Sequence, residues 1–322
     1  MFYLLFLCEI LWYANIKTKV VITIFIELTE CKLCPRQCNA NRLGGKAGFC
    51  GADDKLKIAR SSLHFWEEPC ISGEKGSGTV FFSGCTLGCV FCQNYDISNK
   101  SFGKEITIAR LAKIFLELQE KAALNINLVT PTHYVYHIIE AIKLARINGL
   151  KLPIIYNTSG YETVPTIKLL SGYVDVYLPD FKYMNADYAK EYSEATNYVE
   201  NIKLALAEMV AQVGECVFDD HGIIQKGVIV RHLMLPTLLE DSKAVIEYIY
   251  KTYGDRVFLS IMNQYTPFGN LDDFPHLKQK LTQKEYDSAI DYAISLGLEN
   301  GFIQEGETAN ESFIPLFDLE GV

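Results

Sequence analysis

The run Ser83-Gly84-Cys85-Thr86-Leu87-Gly88-Cys89-Val90-Phe91-Cys92-Gln93-Asn94 carries three thiols at C-x3-C-x2-C spacing. Three thiolates so placed can each hold one corner of a cubane iron–sulfur cluster. A [4Fe–4S] cluster ordinarily takes four Cys ligands. Three leave one iron open, and an open position is where a substrate or cofactor binds, as at a three-ligand catalytic zinc. A zinc knuckle is the competing assignment, with His64 or His133 as fourth ligand. A second group, Cys31, Cys34, Cys38 and Cys50, has four thiolates and so can close a site, which suits a structural metal. This spacing does not separate zinc from an auxiliary iron–sulfur cluster. Cys8, Cys70 and Cys216 stand alone and read as ordinary buried thiols.

These residues need elements to position them. Strands are expected at Thr79–Phe82, Asn125–Val129, Leu152–Tyr156, Val174–Leu178, Val228–Met234 and Val257–Met262. Helices are expected at Thr107–Lys121, Tyr134–Asn148, Val164–Leu170, Glu240–Tyr253 and Gln283–Leu296, with residues 183–213 mostly helical. Six strands separated by helices imply parallel pairing through crossovers. The expected fold class is therefore α/β, a partial (β/α)6 TIM-like barrel, with a doubly wound sheet as the alternative. In either fold, working residues sit at the C-terminal ends of strands. The cysteine loop follows the first strand. Asn157-Thr158-Ser159-Gly160 follows the third, and Asp180-Phe181-Lys182 follows the fourth. Arg231 lies inside the fifth, where a cation needs a partner. His133 and His137 share a helix face without a His-Glu-x-x-His pattern, and read as a helix cap or surface pair. Ser260, Asn263 and Gln264 are weaker pocket candidates. Gly73–Gly78 lacks the Walker spacing and reads as a flexible lead-in.

Domain organisation follows composition. Residues 1–29 are an apolar N-terminal extension. Their positive charge comes after the apolar run, which argues against a signal peptide. They read as a buried strand or helix, or as an upstream extension outside the working protein. Residues 30–72 are a cysteine-rich metal-binding module. Its first part, 30–62, is basic, with seven Lys and Arg against three Asp and Glu, and Gly-rich enough to disfavour regular structure. Residues 73–322 form the barrel and a C-terminal helix. The chain of 322 residues has a net charge of −9, which excludes a whole-protein basic field for nucleic acid. Its apolar stretches fall short of the roughly 20 residues that span a bilayer, so no membrane association is expected. Ten Cys bunched this way indicate metal binding in a reducing compartment, hence a cytoplasmic protein.

With Phe91 as the aromatic, the cysteine loop resembles the C-x3-C-x-aromatic-C signature of the radical S-adenosylmethionine (SAM) superfamily. Gly78–Cys85, the Cys-Gln-Asn-Tyr-Asp-Ile-Ser run, His64–Pro69 and Cys-Lys-Leu-Cys-Pro-Arg-Gln-Cys are similar to the pyruvate formate-lyase activating enzyme-like branch with an N-terminal cysteine module. The likeness runs over about residues 31 to 265. It implies a [4Fe–4S] cluster on Cys85, Cys89 and Cys92, whose open iron chelates SAM. One electron from the reduced cluster then cleaves SAM to methionine and a 5′-deoxyadenosyl radical that abstracts hydrogen; the cofactor carries the hard chemistry. Phe91 would lie near the adenine, with Asp180, Lys182 and Arg231 as SAM contacts. In such activases an Asp-Thr-Asn-Gly segment lines the SAM or cation site; Asn157 replaces its first Asp here and removes a charge. The Gly-Gly-Glu-like segment common after the second strand is also missing, which leaves Thr130 or backbone carbonyls to serve. The resemblance further implies a glycyl radical enzyme as protein substrate and an electron donor such as flavodoxin or ferredoxin. Radical modification of another protein or small molecule stays open. So does a non-catalytic two-metal iron–sulfur electron-transfer protein.

Overall fold

The computed structural model describes residues 28–99, 102–269, 271–304 and 315–322, so the apolar extension and Cys8 lie outside the described residues. Six strands form its centre: β2 (Ser77–Phe82), β4 (Ile126–Val129), β5 (Ile154–Thr158), β6 (Val176–Pro179), β8 (Ile224–Leu233) and β9 (Phe258–Met262). Each pairs in parallel with the next in chain order. A singly wound parallel sheet of this kind curls into a (β/α) barrel. Closure does not occur, because other strands occupy both edges. β1 (Lys57–His64) pairs antiparallel with β2, and β3 (Lys104–Glu105) lies outside it. On the far edge β10 (Gly301–Ile303) pairs with β9. β7 (Val217–Phe218) forms a small ladder on β8. The expected partial barrel is thus the observed fold, flanked by four strands that periodicity did not reveal. β3, β7 and β10 are too short to show a period, and β1 lies partly in the charged stretch expected to be loop.

The helices form where apolar spacing and caps agree. Helix α3 (Ile108–Glu120) buries Leu111, Ile114, Phe115 and Leu118, and the Thr107 side chain accepts from the Arg110 N–H at its start. The helical stretch 183–213 splits into α6 (Ala186–Ser193) and α7 (Tyr198–Val213), interrupted at Glu194, which takes a left-handed φ of 49°. Strand β5 starts after Pro153, whose ring nitrogen has no hydrogen to donate to a ladder. No described helix is long and apolar enough to cross a membrane.

The concave side of the sheet carries the register row Phe81–Val129–Asn157–Leu178. One helical turn, α1 (Pro69–Ser72), plugs its lower end. There Cys70 and Ile71 pack with Ile155, Val176, Leu178 and Ile229 in a cluster of their own. The plug leaves the opposite end, at the strand C-termini, open.

Candidate cofactor site

The cysteine loop leaves β2 at its C-terminal end. Gly84 (φ 90°) and Gly88 (φ 70°) turn the backbone through the left-handed region. A Cβ on Gly84 would collide with the carbonyl of Cys50. Each thiol in the loop receives a hydrogen bond. The Leu87 N–H lies 3.4 Å from Cys85 Sγ, with the Gly88 N–H as a second donor. Ser193 Oγ donates to Cys89 Sγ at 3.2 Å, and Ser98 Oγ to Cys92 Sγ at 3.4 Å. Burial pushes the Cys85 thiol up to about 12, and its neighbours Cys92 and Cys89 add to the shift. Burial raises Cys92 as well, again with help from Cys89. The Cys85 and Cys92 thiols resist losing their protons unless a cationic centre compensates them, and donors aimed at sulfur are what thiolate-bound clusters use. Among the described residues no three Cys, His, Asp or Glu side chains converge on a point for one metal ion. A cubane distributes its thiolates over separate irons and needs no such convergence. Three thiols, each with a donor aimed at its sulfur, suit such a cluster. His133, one of the two proposed fourth ligands, has its Nε2 on the Ser83 carbonyl.

Beside the loop lies an open cleft. Its walls include Cys85, Cys89, Cys92, Phe91, Asn157, Asp180, Lys182 and Arg231, all eight of the residues expected to hold cluster and SAM. Asp180 Oδ2 lies 2.9 Å from Lys182 Nζ, and its Oδ1 lies 3.0 Å from Arg231 Nε. Burial alone would raise the Asp180 carboxyl, yet the two cations outweigh it and hold it below the usual range. Burial likewise opposes the charge on Lys182, and Asp180 with the nearby Cys89 and Cys92 overcomes it, so Lys182 stays protonated. Besides Asp180, Arg231 donates to Glu67 Oε2 at 3.0 Å and to Asn157 Oδ1 at 2.6 Å, so each of its three nitrogens has a protein partner. Phe91 meets the rings of Tyr183 and Tyr265 edge-on.

Glu67 is the residue that sequence reasoning missed. From the loop after β1 it reaches under the cleft and accepts from Asn127, Asn157 and Arg231 on three different strands. Glu162 is the second. It is fully buried behind the cleft wall, accepting from Thr132 (2.7 Å) and Thr158, and burial raises its carboxyl to about 7. Tyr265 and Met262 complete the apolar side of the cleft beside Gln264, whereas Ser260 is buried beneath it as a partner of Glu68.

The Cys31–Cys50 module docks against the same loop. Cys31, Cys34 and Cys50 are buried and Cys38 is exposed. The four lie close enough for each of the others to raise the Cys34 thiol, which burial above all pushes up to about 12. Arg42, fully buried, donates to the carbonyls of Asp53 and His133 and approaches Cys31 Sγ at 3.8 Å. Two expectations are corrected here. His133 and His137 are buried rather than a surface pair. His133 Nε2 meets the Ser83 carbonyl at 2.7 Å, and His137 Nε2 meets that of Asp54 at 2.9 Å. Burial drives their pKa values down to about 3 and 4, so both rings are neutral; His133 braces the start of the cysteine loop at Ser83, and His137 ties the barrel to the module at Asp54. Cys70 is buried as expected, but Cys216 is only half-buried.

A family model described as the Radical SAM superfamily matches residues 79–219. The uncharacterized protein MJ0674 of Methanocaldococcus jannaschii is 30% identical over 296 residues, which cover 88% of this chain and 79% of that protein. Solved structures with a similar fold include SuiB of Streptococcus suis bound to S-adenosylmethionine, at 16% identity and TM-score 0.46 over 69% of this chain and 48% of that one. Another is the FeFe-hydrogenase maturase HydG from Carboxydothermus hydrogenoformans, at 13% identity and TM-score 0.48 over 73% of this chain and 56% of that one. The chain spans about half the length of these two structures. It belongs to the radical SAM superfamily, whose members work through a [4Fe–4S] cluster and SAM.

Proposed function

We propose that Cys85, Cys89 and Cys92 hold a [4Fe–4S] cluster with one open iron, and that the cleft beside them takes SAM. When bound, cluster and cofactor together supply one electron and a 5′-deoxyadenosyl radical for hydrogen abstraction. The observation that carries this is the gathering of the three cysteines, Phe91, Asn157, Asp180, Lys182 and Arg231 around one cleft at the C-terminal ends of parallel strands.

The residues have distinct tasks. Asp180, kept ionised by its two cations, accepts from the ammonium of SAM. Lys182 spends one N–H on Asp180 and has two more for the SAM carboxylate. Arg231 holds Asp180 and Asn157 in place and is a positioning residue. Phe91, Tyr265 and Met262 form an apolar wall that keeps water from a reactive centre. The Cys31–Cys50 module holds a second metal, zinc or iron–sulfur, in a structural role. From the resemblance of Gly78–Cys85 and the cysteine module to glycyl radical activases, we assign as substrate the Cα–H of a glycine in a partner glycyl radical enzyme. Flavodoxin or ferredoxin would be the electron donor.

Anaerobic protein reconstituted with iron and sulfide, then given reductant and SAM, should release 5′-deoxyadenosine. Cys85→Ala should reduce that release to background while Cys216→Ala leaves it unchanged. A wild-type cluster that cycles between oxidation states without releasing the nucleoside would mark an electron carrier instead. A backbone radical in the partner, seen by electron paramagnetic resonance (EPR), is the sign of the glycine substrate. Nucleoside release without one points to another substrate.

A further inference from the structure

Arg36 stands between Cys34 and Cys38, and its guanidinium leaves the module altogether. Nε donates to the Thr86 carbonyl at 3.2 Å. One terminal nitrogen donates to the Leu87 carbonyl at 2.9 Å and to the Ser193 carbonyl at 2.6 Å, and the other to the Glu194 carbonyl at 2.5 Å. The guanidinium also stacks 3.8 Å above the Phe49 ring, which lies against Gly88.

The two loop carbonyls belong to informative peptide units. The Thr86 carbonyl shares its plane with the Leu87 N–H, and the Leu87 carbonyl shares its plane with the Gly88 N–H. Those two N–H groups are the donors to Cys85 Sγ. Each plane is therefore held at both ends, by Arg36 on oxygen and by the thiol on hydrogen. Ser193, whose carbonyl Arg36 also holds, donates its hydroxyl to Cys89 Sγ. We infer that Arg36 is a positioning residue for the cysteine loop, aiming the Leu87 and Gly88 N–H groups at Cys85. Because Arg36 lies between two thiols of the other module, a metal bound there would fix its backbone and so set the sulfur environment of the loop. This deepens the cluster assignment made above and rests on it.

The geometry requires a fork. A guanidinium presents its N–H groups in one rigid plane, whereas a lysine ammonium is a compact charge that cannot match several carbonyls at once. Donors to a cluster's sulfurs raise its reduction potential, since they favour the more negative reduced state.

The test compares full-length wild type, Arg36→Met and Arg36→Lys. In hydrogen exchange on the metal-free chain, the Leu87 and Gly88 amides should exchange about tenfold faster or more in both variants, with protection of β4, β5 and β6 unchanged. In reconstituted protein, a redox titration of the SAM-responsive EPR signal should give a more negative midpoint in both variants, the lysine's charge failing to restore it. Three results would overturn the inference: wild-type exchange at Leu87 and Gly88, faster exchange spread evenly over the barrel, or a wild-type midpoint in Arg36→Lys. If wild-type protein binds no iron at the loop, the cluster assignment falls. The exchange comparison on the metal-free chain then still decides whether Arg36 holds the loop.

Discussion

At the residue scale, the buried Glu162 carboxyl offers a clean titration. Its folded value near 7 stands above the ordinary glutamate value of 4.5, and burial is the main cause. Between those values the unfolded chain has released this proton while the folded chain retains it, so stability falls as pH rises. Above about pH 7 both states are ionised and the loss is complete. Glu162→Gln removes this dependence. In urea unfolding of the metal-free chain, the variant should gain on the wild type from pH 5 to 7 and hold a constant difference beyond. A difference that is flat throughout, or that shrinks with rising pH, would contradict the assignment. The same scale shows what a sequence discloses. Cys85, Cys89 and Cys92 were legible because their relation is local, a spacing within eight residues. Asp180 and Lys182 were legible through their place after a strand. Glu67 was not: it falls in the His64–Pro69 run, but its partners stand 60, 90 and 164 positions away, so no local spacing discloses its role. Arg36 is similar, with carbonyl partners 50 to 158 positions distant.

At the element scale, the floor of the cleft joins strands that are not all neighbours in the sheet. Glu67 links β4 through Asn127, β5 through Asn157 and β8 through Arg231, while α1 plugs the barrel below. Arg231 and Glu67 are nearly buried, with side-chain exposures of 14% and 10%. Removing one partner of such a pair leaves the other charge desolvated. Glu67→Ala should therefore cost about 3 kcal/mol, the low end for a broken buried pair, because Asp180 still faces Arg231. Denaturant unfolding checks this, and a loss within about 0.5 kcal/mol, the range of an ordinary surface change, would show that Glu67 does not hold the strands. The helices were placed well from sequence because apolar spacing and caps coincide, as at Thr107 and in the capping box of Thr282 with Glu285. The edge strands were not. β1 owes its pairing to β2 and to the tail, where its Ser61 N–H reaches the Glu320 carbonyl at 2.8 Å. Such pairing depends on distant chain, not on period.

At the scale of the whole molecule, module and barrel meet around one loop. His137 bonds the Asp54 carbonyl and Arg42 bonds the His133 carbonyl across the contact, and Arg36 and the Cys50 carbonyl close on the loop itself. The result is a thiol-lined corner with its supporting shell buried and its cleft open. On the assignment proposed above, this corner holds a cluster with one iron left for SAM. The most direct measurement is the EPR spectrum of the reduced, anaerobically reconstituted chain before and after SAM is added. Wild type should show a change in g-values and line shape that is lost in Cys89→Ala. Identical spectra with and without SAM, from protein shown to carry iron at Cys85, Cys89 and Cys92, would contradict it.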